Sequence, residues 1–402
     1  MSAPLAGLRI IELARVLAGP WAGQLLADLG ADVVKVEAPA GDDTRRWGPP
    51  FLEYAEGGRD AAYYHACNRG KRSVVADFRT PEGRALARDL CLGADVVIEN
   101  FRRGDLARHG LDAVTLRAAQ PSLIYCSITG FGHDGPYADL SGYDFIVQGM
   151  GGSMDLTGEP DGEPQKAGVA YADLFAGMYA VAAVQAALLQ RARTGQGATI
   201  DLALLDTQVS VLSYQALSYL VSGQAPRRMG NAHPNLVPYQ VFRVQDGELI
   251  IAVGNDRQFR HLVEELGLPG LADDPVAHTN EDRVRNRDQV VALLQQACLA
   301  FRRAELVERL RSRGVPVGPI NTVAEVFADP QVQSRGMAAT TRDAQGRSMP
   351  GVNQPLRLDG QRPMAGRTAP RLGEHQAEIE REVRAWRLRR AGGANANPPQ
   401  LT

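Results

Sequence analysis

Short apolar runs alternate with segments of helical spacing between residues 8 and 129 of the chain. The apolar runs are residues 8–13, 31–37, 73–78, 95–100 and 122–129. Between them, residues 17–30 and 80–94 carry apolar side chains at the helical period. Runs that are apolar at nearly every position are typical of parallel strands buried on both faces. The pattern therefore predicts an α/β fold with an open parallel, Rossmann-like sheet.

The pattern changes near residue 222, where apolar runs give way to a segment rich in Gly, Pro and Arg. Residues 241–254 are typical of a β-hairpin, mainly helical segments follow to residue 313, and residues 314–321 are typical of a return linker. These changes predict residues 1–222 as the N-terminal part of a large domain, 223–325 as a smaller α+β domain, 326–390 as a return to the large domain, and 391–402 as a disordered tail.

Charge and cysteine content narrow the classes of partner. The chain has 44 basic and 46 acidic residues and a net charge of −2, so no global field favours nucleic acid or an anionic membrane. Four cysteines (Cys67, Cys91, Cys126 and Cys298) lie far apart without metal-ligand spacing. No stretch reaches the ~18 apolar residues that a membrane span needs. We expect a small-molecule ligand, no metal, reduced thiols and a cytoplasmic protein.

Asp173 lies at the start of a predicted small-residue helix, 173–193, which ends before Gly195. Asp is a favoured helix N-cap, and an ionised carboxylate is also a competent nucleophile toward an activated acyl group. The helix dipole favours the ionised form, so we expect Asp173 to be deprotonated at neutral pH. Nearby glycines offer either tight turns or backbone amides for an acyl oxyanion: Gly149, Gly151, Gly152 and Gly168. Local sequence leaves both interpretations of Asp173 open.

Other polar residues are ambiguous by themselves. Residues 100–103 follow a predicted strand, and open α/β sheets bind ligands beyond the carboxyl ends of strands. His133 and His233 are isolated in loops and are more typical of structural or exposed histidines. Tyr143 and Asp144 follow a glycine-rich loop, where they fit a core or a cleft equally well.

Several segments in order resemble the class III CoA-transferases of the CaiB/BaiF type. The resemblance covers residues 5–380. The segments are VLAGPWAGQLLADLGADVVKVEAP (16–39), NRGKRSVVADFRTPEG (68–83), VIENFRRG (97–104), YCSITGFGHDGP (125–136), SGYD (141–144), VAYADLFAG (169–177), TGQGATIDLALLD (194–206) and GVPVGPIN (314–321).

The resemblance implies transfer of CoA between an acyl-CoA and a free carboxylic acid, with Asp173 as the covalent nucleophile. It implies aspartyl anhydride and aspartyl-CoA thioester intermediates, CoA thioesters as substrates, no bound cofactor, and an interlocked homodimer. The positions that match CoA contacts of the family are Val16, Leu17, Ala18, Arg79, Asn100, Phe101, Arg102, Arg108, Tyr143 and Asp144.

The likeness is greatest to succinyl-CoA-dependent dicarboxylate transferases of the succinate–hydroxymethylglutarate (glutarate) group, through residues 40–51 and 231–242. Leu17 and Ala38 depart from the formyl-CoA:oxalate relatives. The expected acceptor is a C4–C6 dicarboxylate such as glutarate, with succinyl-CoA as donor. Its second carboxylate needs a cationic anchor, for which the candidates are Arg45, Arg46, Arg228 and His233.

Three alternatives remain at the level of sequence. An α-methylacyl-CoA racemase of the same superfamily needs an acid–base His where this chain has Tyr143. A phenol, which in model peptides loses its proton only near pH ~10, is a poor partner for abstracting a proton at neutral pH. A nicotinamide dehydrogenase is suggested by Glu37 at a strand end, but the GxGxxG spacing is missing. The third alternative is a CoA-binding protein without catalysis.

Overall fold

The computed structural model describes residues 3–54, 57–343 and 346–391. The strands are β1 (Arg9–Glu12), β2 (Asp32–Glu37), β3 (Phe51–Glu53), β4 (Arg59–Ala61), β5 (Arg72–Val75), β6 (Val96–Glu99), β7 (Ile124–Thr129), β8 (Thr199–Ala203), β9 (Tyr239–Val244), β10 (Gly247–Ala252), β11 (Val317–Pro319), β12 (Ala338–Arg342) and β13 (Ser348–Val352).

The α-helices are α1 (Ala18–Asp28), α2 (Ala62–Ala66), α3 (Pro81–Leu92), α4 (Ala113–Ala119), α5 (Asp144–Met150), α6 (Ser153–Leu156), α7 (Tyr171–Thr194), α8 (Leu204–Val211), α9 (Tyr214–Ser222), α10 (Asp256–Glu265), α11 (Asn280–Arg285), α12 (Arg287–Cys298), α13 (Arg303–Ser312), α14 (Val323–Ala328), α15 (Pro330–Ser334) and α16 (Gln376–Ala391). Short 3-10 helices lie at Asp43–Arg46, Ala107–His109 and Pro269–Ala272.

The chain folds into two compact units. The first contains Met1–Gly152, Ala167–Leu217 and Gln333–Thr402, and the second contains Ser153–Lys166 and Ser218–Val332. The predicted boundaries at 222/223 and 325/326 differ from these limits and stay a prediction. The predicted tail, 391–402, begins at the last residue of α16, and 392–402 lie outside the described residues.

The first unit is built on a six-stranded parallel sheet with the order β5, β2, β1, β6, β7, β8. Ile11 of β1 lies beside Val34 of β2 and Val97 of β6, and all three are essentially buried. This sheet confirms the predicted α/β fold. Because the chain winds outward from β1 on both sides, the strand order reverses between β1 and β6.

Helices cover both faces of this sheet. On one face, Leu26 of α1 and Val184 of α7 share a core with Ile10. On the other face, Leu90 of α3 and Ile379 of α16 pack in a second core. The C-terminal helix therefore belongs to the same unit as the first strands.

Helix α7 begins at Tyr171, two residues before its predicted start, so Asp173 is the third residue of the helix and not its N-cap. The buried stripe of α7 includes Gly177, where the helix crosses α1. A Cβ atom at Gly177 would lie 2.8 Å from the carbonyl oxygen of Ala18 and 2.9 Å from a ring carbon of Trp21. Only glycine permits this close approach of the two helices.

Helix α7 also corrects the expectation that no stretch is apolar enough to cross a membrane. Its 24 residues, with a mean hydropathy of 1.6 in the best window, pass that test by length and composition. The helix packs against α1, β7 and β8, which accounts for part of its apolar character.

The second unit contains an antiparallel sheet with the order β11, β10, β9, followed by helices, as the predicted α+β domain requires. Phe242, Leu249 and Leu262 lie in its core and are at most 1% exposed. The prediction of a linker over 314–321 is wrong in part. Val317–Pro319 forms β11, because its backbone pairs with β10.

Candidate active site

A pocket opens where the strand order of the main sheet reverses. Two of its walls are residues 15–18, which follow β1, and residues 100–103, which follow β6. The cavity measures about 300 Å³. The other lining residues are 128–130, 140–143, Asp105, Ala138, Asp173 and Leu204. Open α/β sheets bind ligands at this position, so the fold itself indicates the site.

The two walls are tied to each other through Asn100. The backbone N–H of Arg15 donates to Asn100 Oδ1 at 2.8 Å, and Asn100 Nδ2 donates to the carbonyl of Arg15 at 2.6 Å. The next residue, Val16, has a φ of 68°, which is rare for a β-branched residue and costs conformational energy. Its N–H faces the carboxylate of Asp42 at 3.3 Å. These contacts hold the 15–18 wall in a strained conformation.

Asp42, which contacts the 15–18 wall through Val16, belongs to a buried network of ion pairs. Lys35 Nζ lies 2.9 Å from Asp42 and 3.1 Å from Glu12, and Lys71 Nζ lies 2.7 Å from Glu12. All four side chains are at most 1% exposed. Burial alone would raise the pKa of Asp42, but the Lys35 ammonium lowers that pKa to about 2. Asp42 is therefore ionised and remains a strong acceptor toward the strained Val16 peptide.

The helix that carries Asp173 is capped by a residue from another helix. Asp144 Oδ1, at the start of α5, accepts the backbone N–H of Ala172 at 2.9 Å and that of Asp173 at 3.4 Å. Gln148 Nε2 donates to Asp144 Oδ2 at 2.7 Å and orients it. The capping interpretation of Asp173 is therefore wrong. Asp144 performs that role, and the side chain of Asp173 is available to the pocket.

The charge state expected for Asp173 is also corrected by its surroundings. Burial, and then the negative charge of Asp144, raise the pKa of Asp173 to about 7. The N-terminal dipole of α7 favours the carboxylate, but desolvation and like-charge repulsion outweigh it. Asp173 is thus partly protonated at neutral pH, and the ionised form gains weight as the pH rises.

The structure brings together eight of the residues selected from sequence for catalysis and CoA contact. All eight line the same pocket: Val16, Leu17, Ala18, Asn100, Phe101, Arg102, Tyr143 and Asp173. Arg102 and Arg103, both in the 100–103 wall, add positive charge to the pocket. Tyr143 is 60% exposed, so it faces the cleft and not the core.

Three of the selected residues do not line the pocket. Arg79 pairs with Asp77 and its side chain is 82% exposed. Arg108 pairs with Asp105, which itself lines the pocket. Asp144 does not line the pocket but affects Asp173, because it caps α7 and its negative charge raises the pKa of Asp173.

The candidate anchors for a second carboxylate are dispersed. Arg45 is 5% exposed and bonds Glu37 at 2.7 Å and Asp60 at 2.6 Å, so its charge is already neutralised within the first unit. Arg46 pairs with Asp43 at 2.8 Å. Within the second unit, Arg228 pairs with Asp155 at 2.9 Å and His233 packs on Tyr239 with ring centres 5.2 Å apart.

Cysteine does not compete with Asp173 as a nucleophile. All four cysteines are buried and free, as the prediction of reduced thiols requires. Burial raises the pKa of Cys67, whose Sγ lies 3.5 Å from the carbonyl of Val16, to about 12. In the described ranges, no cluster of three or more His, Cys, Asp or Glu side chains could hold a metal ion. The expected absence of a metal stays a prediction.

Sequence reasoning missed the glycine pair that shapes the far wall. Gly130 and Gly142 both line the pocket, and a Cβ atom at Gly130 would lie 2.6 Å from the Cα of Gly142. A signal was present in the sequence, since Gly130 lies in segment 125–136 and Gly142 in segment 141–144, both of which carry the family resemblance. The glycines selected instead do not line the pocket, and one of them, Gly151, packs against Gln208.

Comparisons with known proteins identify the family. The sequence profile of CoA-transferase family III matches residues 5–376. The chain is 56% identical over 383 residues to a succinate–glutarate CoA-transferase of Agrobacterium fabrum, covering 94% of this chain and 96% of that protein. It is 39% identical over 381 residues to the human succinyl-CoA:glutarate CoA-transferase, covering 94% and 86%.

A solved structure supports the same assignment. A CaiB/BaiF family protein from Brucella suis is 57% identical, with a TM-score of 0.85 over 95% of this chain and 100% of that one. These findings confirm the resemblance to the class III CoA-transferases. The chain belongs to CoA-transferase family III, and the protein is an enzyme of that class.

Proposed function

We propose that the protein transfers CoA from succinyl-CoA to a C4–C6 dicarboxylate, with glutarate as the preferred acceptor and Asp173 as the covalent nucleophile. The observation that carries the proposal is the position of Asp173, whose carboxylate lines the pocket at the reversal of strand order. The similarity to succinate–glutarate CoA-transferases supports the choice of donor and acceptor.

The pocket has the chemistry that binding of a CoA diphosphate requires. Helix α1 begins beside the 15–18 wall, and none of the side chains that the structure describes caps it at Leu17. Its free amides and positive dipole end suit an anion. Arg15, Arg102 and Arg103 line the same cavity and add guanidinium donors for phosphate. Tyr143 lines the same cavity as Asp173, and the family resemblance matches it to the thiol end of the pocket.

The chemistry proceeds by exchange at Asp173. Its carboxylate oxygen attacks the thioester carbonyl, the carbon–sulfur bond breaks, and CoA thiolate leaves behind an aspartyl anhydride. The thiolate then attacks the Asp173 carbonyl, which releases succinate and forms an aspartyl-CoA thioester. The acceptor carboxylate attacks that thioester, the carbon–sulfur bond breaks, and a second anhydride forms with release of CoA thiolate. Thiolate finally attacks the acceptor acyl carbon, and Asp173 is restored as a carboxylate. Each step exchanges one activated acyl group for another, so no ATP enters.

We propose that a cationic side chain anchors the distal carboxylate of the acceptor. Of the candidates in the first unit, the charge of Arg45 is committed to Glu37 and Asp60, and Arg46 is occupied by Asp43 and the carbonyl of Ala40. Arg228, which pairs with Asp155, and His233 stay predictions from the sequence. An anchor of this kind favours dicarboxylates over monocarboxylates.

We also propose a cytoplasmic homodimer. Large apolar side chains of the first unit are exposed along α7, α8 and α9: Phe175 41%, Met178 55%, Leu189 68%, Val209 50% and Leu217 61%. Many large apolar side chains exposed on the helices of one unit are typical of a protein interface. Sedimentation velocity tests the proposal, and a monomer at micromolar concentration would contradict it.

The substrate proposal is tested by supplying succinyl-CoA with a panel of C4–C6 dicarboxylic acids and matched monocarboxylic acids, with new CoA esters scored by mass. We expect glutaryl-CoA as the main product, and esters of monocarboxylates alone would contradict the proposal. Asp173→Asn should abolish exchange and retain CoA binding. Hydroxylamine trapping after addition of donor should modify Asp173, and modification elsewhere would reject it as the nucleophile.

A further inference from the structure

A second set of polar side chains lies directly behind the 100–103 wall of the pocket. Glu99 is the last residue of β6, and Ser127 lies beside it in register on β7. Asp201 lies beside Ser127 on β8. Glu99 is 4% exposed and Ser127 is 2% exposed. The exchange chemistry of Asp173 uses none of these three groups.

Hydrogen bonds connect the buried carboxyl of Glu99 both to the pocket wall and to a histidine. Glu99 Oε2 accepts the backbone N–H of Phe101 at 2.7 Å, and the hydroxyl of Ser127 bonds the same carboxyl. Ser127 Oγ lies 2.7 Å from His133 Nε2. The backbone N–H of His133 donates to Asp201 Oδ2 at 3.1 Å. A continuous chain of hydrogen bonds therefore leads from Glu99 to half-buried His133.

The ring of Phe101 is held as well as its peptide. The Arg15 guanidinium lies 5.7 Å from the centre of this ring, and the ring of Phe78 lies 6.2 Å away. Asn100, the preceding residue, clamps the opposite wall through Arg15. The Phe101 peptide therefore lies at the centre of the contacts that fix both walls, and Glu99 is the acceptor for its N–H.

The environment of Glu99 makes its protonation sensitive to pH near neutrality. Burial raises the pKa of Glu99 to about 7, hydrogen bonds from Ser127 and Phe101 oppose that rise, and the charge of Asp201 adds to it. Burial and the charge of Glu99 also raise the pKa of its other titratable neighbours, Tyr125 and Cys126 of β7, so both stay neutral.

We propose that Glu99 is a positioning residue for CoA binding: its carboxylate holds the Phe101 peptide and thereby the 100–103 wall, and protonation through Ser127 and His133 loosens that wall. The inference rests on the proposed binding of CoA in this pocket. A carboxylate accepts an N–H more strongly than a neutral carboxyl group does. CoA therefore binds more tightly when Glu99 is ionised.

The test measures binding in Asp173→Asn protein, in which residue 173 does not titrate. Dephospho-CoA is titrated calorimetrically from about pH 5.5 to about pH 8.5, because it lacks the terminal phosphate that itself titrates near ~6. We expect Kd to rise on the order of fivefold as the pH falls through neutrality. With Glu99→Gln added, Kd should be independent of pH and equal to the low-pH value, since the amide is a neutral acceptor of the same shape.

Two further variants test the hydrogen-bond chain. Ser127→Ala removes a bond that favours the ionised form, so the midpoint of the Kd profile should move to higher pH. Asp201→Asn removes a negative charge, so the midpoint should move to lower pH. Thermal melting of each variant at the two ends of the pH range checks that the fold is retained.

The outcomes separate the two proposals. A pH step that survives Glu99→Gln, tighter binding at low pH, or midpoints that do not move would overturn the positioning role while leaving CoA binding intact. If the Asp173→Asn protein does not bind dephospho-CoA at any pH, the assignment of the pocket to CoA fails, and the positioning role fails with it.

Discussion

Replacing Asp144 with Asn removes one negative charge beside Asp173 and keeps the acceptor that caps α7. Burial and the charge of Asp144 together raise the pKa of Asp173 to about 7. The side-chain carbonyl of Asn can accept the backbone N–H of Ala172 and of Asp173, as the carboxylate oxygen does now. The substitution therefore changes the electrostatics of Asp173 and keeps the cap on its helix, while the bond from Gln148 Nε2 to Oδ2 is lost.

The size of the effect follows from Coulomb's law. Asp144 Oδ1 lies 3.4 Å from the backbone nitrogen of Asp173, which keeps the two residues close. For a charge separation taken as roughly 6 Å, at an effective dielectric constant of about 20, the repulsion is ~2.8 kcal/mol, or about two pH units in a titration midpoint. Water in the pocket screens part of this repulsion. We expect the midpoint to fall by roughly one to two pH units, and it should stay above the value of an exposed Asp because burial is the larger cause.

The assay is the pH dependence of kcat/KM, which reports ionisations of the free enzyme. Because the ionised form of Asp173 is the proposed nucleophile, kcat/KM of the wild type should rise with pH through about 7. In Asp144→Asn the rise should occur at lower pH, whereas Asp134→Asn, which removes an exposed charge, should leave it in place. A midpoint that is unchanged or higher in Asp144→Asn would refute the argument from like-charge repulsion.

Three other variants test the packing and the charges around the site. Asp173→Asn should stabilise the protein by up to a few kcal/mol at pH ~8 and by little at pH ~3, measured by urea denaturation, because a carboxyl whose pKa is raised by folding costs stability above its unfolded pKa. Gly177→Ala should cost about 1–3 kcal/mol and raise the KM for acyl-CoA, since its methyl group meets the α1 backbone at Ala18, and Gly168→Ala, in open space, is the matched control. Lys35→Met leaves buried Asp42 without its cation and Glu12 with Lys71 alone, and should cost roughly 3–5 kcal/mol, and wild-type stability in urea would contradict the network.

The main sheet was predictable from sequence because its strands are buried on both faces and the helices between them are amphipathic. Ile11 and Val34, for instance, lie in apolar runs, and both are at most 1% exposed. The location of the pocket followed from the rule for open α/β sheets once 100–103 was placed after a strand. What periodicity did not give was β11, a three-residue strand that exists only because β10 offers it a backbone partner.

The chemistry of single residues was less predictable, because it depends on partners distant in sequence. The cap of α7 comes from Asp144, 29 residues before Asp173, so the neighbourhood of Asp173 alone suggested that it caps the helix itself. Its charge state depends on burial, which local sequence does not encode. The pair Arg45–Arg46 resembles free surface charge, yet Arg45 is buried between Glu37 and Asp60.

The crossing of α1 and α7 also bears on how acid specificity can change in this fold. Gly177, which contacts the backbone of Ala18, lies one helical turn after Asp173. The proposed nucleophile and the 15–18 wall are therefore aligned by close contact of the two helix backbones, with the side chain of Trp21 at the same crossing. Substitutions elsewhere in the pocket can recruit a different acid while the Asp173 carboxylate keeps its alignment with the wall. The fold thus separates what is held constant, the exchange chemistry, from what selection can vary, the identity of the acid.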